Sequence, residues 1–164
     1  MDLREKPALS GVLTIDICDA AGVLVERRHV PNLITKVGKE LLARLLLGRT
    51  DALPTRWVIA VGTGQSLPPR LEDTQLERKV DEAQDTSPKV EIVTRTDGTT
   101  VVRASVSATL PALNLGPTDK PQALTEAGIE ITLGGAPILF NRVRFEQVNR
   151  GANMVMKMAW EITF

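Results

Sequence analysis

Met154-Val155-Met156-Lys157-Met158-Ala159-Trp160-Glu161-Ile162-Thr163-Phe164 closes the chain, and its reading decides the fold. Met154, Met156, Met158, Trp160, Ile162 and Phe164 share one parity, with Lys157, Glu161 and Thr163 on the other. Successive side chains of a strand point to opposite faces, so this period predicts a strand with one face against a core. A row of three Met is also a feature of soft-metal and promiscuous binding faces. At strand spacing it reads as core, where the unbranched thioether fills irregular gaps.

The same period recurs upstream. Leu13, Ile15 and Ile17 alternate with Thr14, Asp16 and Cys18; Asp19-Ala20-Ala21-Gly22 is a turn, and Val23 begins the return arm. Lys89–Thr94 and Thr99–Leu110 flank Asp97-Gly98, a strong hairpin signal, and Val102, Ala104, Val106, Ala108 and Leu110 form one face of the second arm. Trp57–Val61 is continuously apolar before Gly62, which predicts a strand covered on both faces. Gly128–Leu133 and Ile138–Phe145 read as strands interrupted at Gly134-Gly135.

One segment has a helical period. After Pro31-Asn32 break the strand pattern, Val37, Leu41, Leu42, Leu45 and Leu46 make an apolar face, with Thr35 as the starting cap and Gly48 at the end. Its polar side mixes Lys36, Lys39, Glu40 and Arg44, which predicts a helix covering a sheet and not a membrane surface. Thr74 and Glu77 have the spacing of a capping box, suggesting a short helical turn, and residues 80–88 read as polar loop. Residues 1–8 suggest a docking arm. The segments 62–88 and 111–124, the latter with Pro111, Pro117 and Pro121, read as long contact loops. The expectation is a single structural domain over 1–164: mainly β, an antiparallel β-sandwich or barrel-like domain with one amphipathic helix packed against it.

Composition narrows the function classes. Twenty basic residues balance twenty acidic ones, so no basic footprint for nucleic acid is expected. With Cys18 and His29 each alone of its kind, neither an internal disulfide nor a zinc site is expected. No apolar run is long enough for a membrane helix, and the first residues lack the apolar stretch of a signal peptide. Two Trp, three Phe and no Tyr leave little for stacking on bases or sugars.

The candidate sites read as structural. A nucleophile pair of Cys18 and His29 needs contact and a third orienting group; a small residue near a strand end and a polar surface histidine is the simpler account. Val61-Gly62-Thr63-Gly64 lacks the Gly-Lys-Ser/Thr of a phosphate loop and is expected to be a tight turn whose glycines supply unusual backbone angles. Glu72, Asp73, Glu77, Asp81, Glu82 and Asp85 suggest a solvated acidic loop. Arg142 and Arg144, with Arg150 and Lys157, suggest a basic stripe on an outer sheet face. No catalytic, cofactor-binding or metal-binding residue is assigned.

The order of several segments resembles small tail-associated structural proteins of tailed bacteriophages. Asn32-Leu33-Ile34-Thr35-Lys36-Val37-Gly38 precedes the Leu-rich helix; Val61-Gly62-Thr63-Gly64 ends a strand; Asp73-Thr74-Gln75-Leu76 follows a Pro-bearing loop. Then come Glu126-Ala127-Gly128-Ile129, Leu139-Phe140-Asn141-Arg142-Val143-Arg144-Phe145, and the closing Trp160-Glu161-Ile162-Thr163-Phe164. These segments span residues 32–164 in patches. The resemblance implies a non-enzymatic virion subunit of tail, baseplate or fibre, made in the bacterial host cytoplasm and contacting other virion proteins in multiple copies. The alternatives are a head decoration or cement protein, a receptor- or glycan-binding fibre module, and a small hydrolase using Cys18 and His29.

Overall fold

A computed structural model describes residues 9–164; the docking arm expected over 1–8 lies outside the described residues. The chain order is β1 (Ser10–Asp19), β2 (Leu24–Ile34), α1 (Lys36–Leu46), β3 (Arg56–Gly62), β4 (Lys79–Asp85) and β5 (Lys89–Thr94). It continues with β6 (Thr100–Leu110), β7 (Gln122–Thr132), β8 (Ile138–Leu139), β9 (Asn141–Arg150) and β10 (Met154–Thr163). Every pairing is antiparallel. The sheet runs β4-β3-β7-β9-β2-β1-β10-β6-β5, with short β8 alongside β7. The sheet curls until β4 and β3 lie against β6, and the Ser107 N–H donates to Asp85 Oδ2 at 2.7 Å across that seam. The architecture is the barrel-like, mainly β one that the alternating segments predicted.

The core follows from the period of two. Met156, Met158, Trp160 and Ile162 of β10 point inward beside Leu13, Ile15 and Ile17 of β1 and Val106, Ala108 and Leu110 of β6. Trp160 is fully buried between Leu13 and Val106. Ile59, Val61, Ala127, Ile129 and Val143 supply the opposite wall. A second, small cluster of Ala60, Leu76 and Leu139 lies apart from this core.

Four readings change. Strand β7 begins at Gln122 and not at Gly128, so the loop read over 111–124 ends at Pro121. Residues 79–85 form a strand and not a loop: β4 pairs with β3 from Trp57↔Asp85 to Gly62↔Lys79. Its charged side chains are sustained by ion pairs, so the apolar alternation that marks a strand is missing. Residues 73–78 form bends and irregular chain without the expected helical turn. The strand pattern does not break at Pro31-Asn32, because β2 continues to Ile34. Pro31 stands opposite Val12, where β2 has a paired neighbour only on its β1 edge, so its missing N–H is tolerated.

Helix α1 begins as its sequence indicates. The Gly38 N–H donates to Thr35 Oγ1 at 3.0 Å, and the same hydroxyl donates to the Leu139 carbonyl at 2.6 Å. Gly38 and Leu41 are buried, whereas Leu46 is exposed, so only part of the apolar face is covered. A Cβ on Gly38 would collide with the Phe140 carbonyl. Gly38→Ala is therefore expected to lower stability by about 1–3 kcal/mol, the usual range for overpacking. Denaturant titration checks this, and a neutral result would show that the helix can move off β8.

Candidate functional site

Strand β7 carries the residues that sequence reading passed over. It lies between β3 and β9, and Leu124–Glu130 is buried along its whole length. Glu126 has no exposed surface and faces away from the barrel core. Its carboxylate accepts the N–H groups of Arg78 (2.8 Å), Glu77 (3.1 Å) and Gly64 (3.3 Å). Arg142 completes the shell, with Nε and Nη2 at 3.0 and 2.9 Å from Glu126 Oε2. The same guanidinium donates to Asp73 Oδ2 at 2.8 Å and to the Leu67 carbonyl at 2.9 Å, and Glu77 stands 3.7 Å away.

This buried network folds segment 63–78 back over the outer face of β3, β7 and β9. Leu76 packs there against Ala60 and Leu139, and Thr125 Oγ1 donates to the Gly64 carbonyl at 2.6 Å. The two glycines of Val61-Gly62-Thr63-Gly64 are needed for access, not for unusual angles, since neither has positive φ. A Cβ on Gly62 would lie 2.5 Å from Glu126 Oε1, and one on Gly64 would lie 2.5 Å from Glu77 Cβ. Only hydrogen at both positions lets the carboxylate reach the backbone donors.

The charged segments change role as well. Asp73 and Glu77 join Arg142, Asp81 lies 2.5 Å from Arg150, and Glu82 pairs with Lys79 and Arg56. Apart from exposed Glu72, the acidic run is thus a set of anchors and not a solvated loop. Arg142 and Arg150 are each 1% exposed, so the proposed outer basic stripe is absent. Arg142 and Arg144 do share a face, but segment 63–78 covers Arg142 there. Arg150 also donates to the Pro111 carbonyl from Nε (3.0 Å) and Nη2 (2.6 Å), tying the start of the Pro-bearing loop to β9.

Cys18 and His29 are not brought together. The register sets Thr14 opposite His29 and Cys18 opposite Leu24, four residues apart along β1, about 13 Å at the rise of a strand. Cys18 is buried beside the core, whereas the His29 ring stands 3.0 Å from Thr14 Oγ1 on an exposed site.

Charge states agree with an interlocked framework. Hydrogen bonds from the Leu67 and Ser66 backbone, with the Arg142 charge, hold Glu77 below the ordinary carboxylate range despite desolvation. Lys79, followed by Arg56, does the same for Glu82. Burial opposes the Arg142 charge most strongly, yet Asp73 and Glu126 together raise its pKa. Because Glu77 and Glu82 have folded pKa values below their unfolded 4.5, their stabilisation is complete above that pH. It is lost as pH falls through the lower folded values. Thermal midpoints should therefore fall below pH 4.5, less steeply in Glu77→Gln and Glu82→Gln variants, whose midpoints above that pH are lower than the wild type's.

In chemical terms the arrangement is a closed clasp: each guanidinium nitrogen of Arg142 and each oxygen of Glu126 is engaged within the chain. The fold and clasp define a barrel-like β protein whose covering loop is bolted to its sheet. No protein-family model, curated protein or solved structure matches the chain.

Proposed function

We propose that the protein is a non-enzymatic structural subunit of a bacteriophage particle, a tail or baseplate component that makes protein–protein contacts in assembly. One observation carries this reading. Four of the separate segments that resemble tail-associated proteins meet at the clasp. Gly62 and Gly64 approach Glu126, Asp73 pairs with Arg142, and Leu76 packs near Gly128. A fifth is adjoining, where Thr35 and Gly38 rest on Leu139 and Phe140. Pieces scattered over the chain thus make one framework, which supports treating their order as a single signature. Leu67 and Leu71 are exposed on the covering segment, and most of the other exposed apolar side chains lie on hairpins and at the end of α1, where neighbours have access.

Fractionating particles of the encoding virus tests the proposal. Recovery with purified tails or baseplates, detected by an antibody to the chain, is the expected result. Recovery with empty heads would replace it with the decoration reading, and glycan binding by fibre fractions through this chain with the receptor reading. Absence from all particle fractions would overturn it.

A further inference from the structure

Segment 63–78 is held to the barrel by bonds of a different kind from those within the barrel. Six of its backbone N–H groups donate to carboxylates: Gly64, Glu77 and Arg78 to Glu126, Ser66 and Leu67 to Glu77, and Arg70 to Asp73. Its other ties are the Thr125 hydroxyl on the Gly64 carbonyl, Arg142 on the Leu67 carbonyl, the Lys36 N–H on the Leu71 carbonyl and the Thr63 N–H on the Arg78 carbonyl. Leu76 is its one buried apolar side chain. Strands β1, β10 and β6, by contrast, are joined by continuous backbone ladders over an apolar core.

The shell around Glu126 leaves no place for a proton. Oε1 accepts the Gly64 and Arg78 N–H groups, and Oε2 accepts the Glu77 N–H and Arg142 Nε. A proton on either oxygen would meet donors instead of an acceptor, so the carboxyl gains one only by giving up part of its shell. Glu77 is arranged alike, with the Ser66 and Leu67 N–H groups on its oxygens. Each element packed around Glu126 supplies its own charges. Strand β9 brings Arg142 and, opposite Glu126 in the register, Arg144. The segment itself brings Asp73, Glu77 and Arg78, and β4 brings Lys79, paired with Glu82 and Glu130. Helix α1 adds Lys36 through its N–H, while Trp57–Gly62 of β3 is uncharged.

We propose that segment 63–78 is an acid-released strap: proton uptake by Glu126 and Glu77 opens it from β3, β7 and β9 while the barrel stays closed. Opening uncovers the outer face that carries Ala60 and Leu139. This goes beyond the assembly reading and holds wherever the subunit sits. The sign follows from Glu77, which lies below its ordinary 4.5 in the closed strap. The opening constant is therefore level above that pH and rises as pH falls below it. Each carboxylate that gains a proton on opening contributes a rise of about tenfold per pH unit.

Hydrogen exchange of the full chain from about pH 7 to about pH 3.5, corrected for the intrinsic exchange rate, tests this. Protection at Gly64, Ser66, Leu67, Glu77 and Arg78 should fall at least about tenfold per pH unit below 4.5. The β1 and β10 amides and the tryptophan fluorescence should stay unchanged over the same range. Glu126→Gln should open the strap at neutral pH and make the slope shallower. Gly64→Ala, whose Cβ would lie 2.5 Å from Glu77 Cβ, should lower protection at every pH and keep the wild-type slope. It leaves both carboxylates in place, so it reads the proposal even where Glu126→Gln fails to fold. Level strap protection below pH 4.5, loss of strap and barrel protection together, a wild-type slope in Glu126→Gln or a flat profile in Gly64→Ala would each overturn the strap.

Discussion

Arg142→Met is expected to destabilise the protein by about 3–5 kcal/mol, the range for removing one partner of a buried ion pair. The guanidinium is 1% exposed and pairs with Glu126, which has no solvent contact, as well as with Asp73. Methionine preserves much of the volume but leaves both carboxylates uncompensated. For a chain of this length the thermal midpoint should fall by roughly 6–20 °C. Hydrogen exchange adds a local readout: the Gly64, Glu77 and Arg78 amides, which donate to Glu126, should lose protection most. Combining Arg142→Met with Glu126→Gln should cost less than the sum of the single changes, because the second removes the charge stranded by the first. A single-variant loss below about 1 kcal/mol would show that the clasp does not hold the loop.

Trp160→Ala should be comparably damaging, at about 3–5 kcal/mol. Trp160 is the largest fully buried side chain, set between Leu13 on β1 and Val106 on β6. Truncation opens a cavity where three strands meet, and their backbone ladders restrict collapse into it. Urea unfolding followed by far-ultraviolet circular dichroism measures the loss. Trp160→Phe should recover most of it, since a ring still spans the gap. Equal losses in both variants would place the indole's importance outside packing.

Where side chains alternated, the fold was legible. The closing strand, the hairpin around Asp97-Gly98 and the cap at Thr35 stand where their residues indicated. Strand β4 escaped because Lys79-Val80-Asp81-Glu82-Ala83-Gln84-Asp85 has almost no apolar content. Its place in the sheet depends on Lys79, Arg56 and Glu130, which only tertiary structure brings alongside. The clasp was half visible. Arg142 stood out as one of two arginines on a strand face, but the cover over that face comes from residues about 70 positions earlier. Glu126, the one carboxylate in an otherwise uncharged stretch from Gln122 to Ile129, was the available clue to a buried acid.

Local chemistry by itself determined the strands that alternate, the one helix and its cap, the turns, and the class of fold. These depend on dihedral preference and on a period of two or 3.6, which neighbouring residues express without help. Tertiary structure decided which charges are buried, why Gly62 and Gly64 have no side chain, and which apolar residues remain uncovered at the barrel's ends. Those outcomes depend on distances between residues far apart in the chain, and a charge or a glycine carries no local mark of what will close over it.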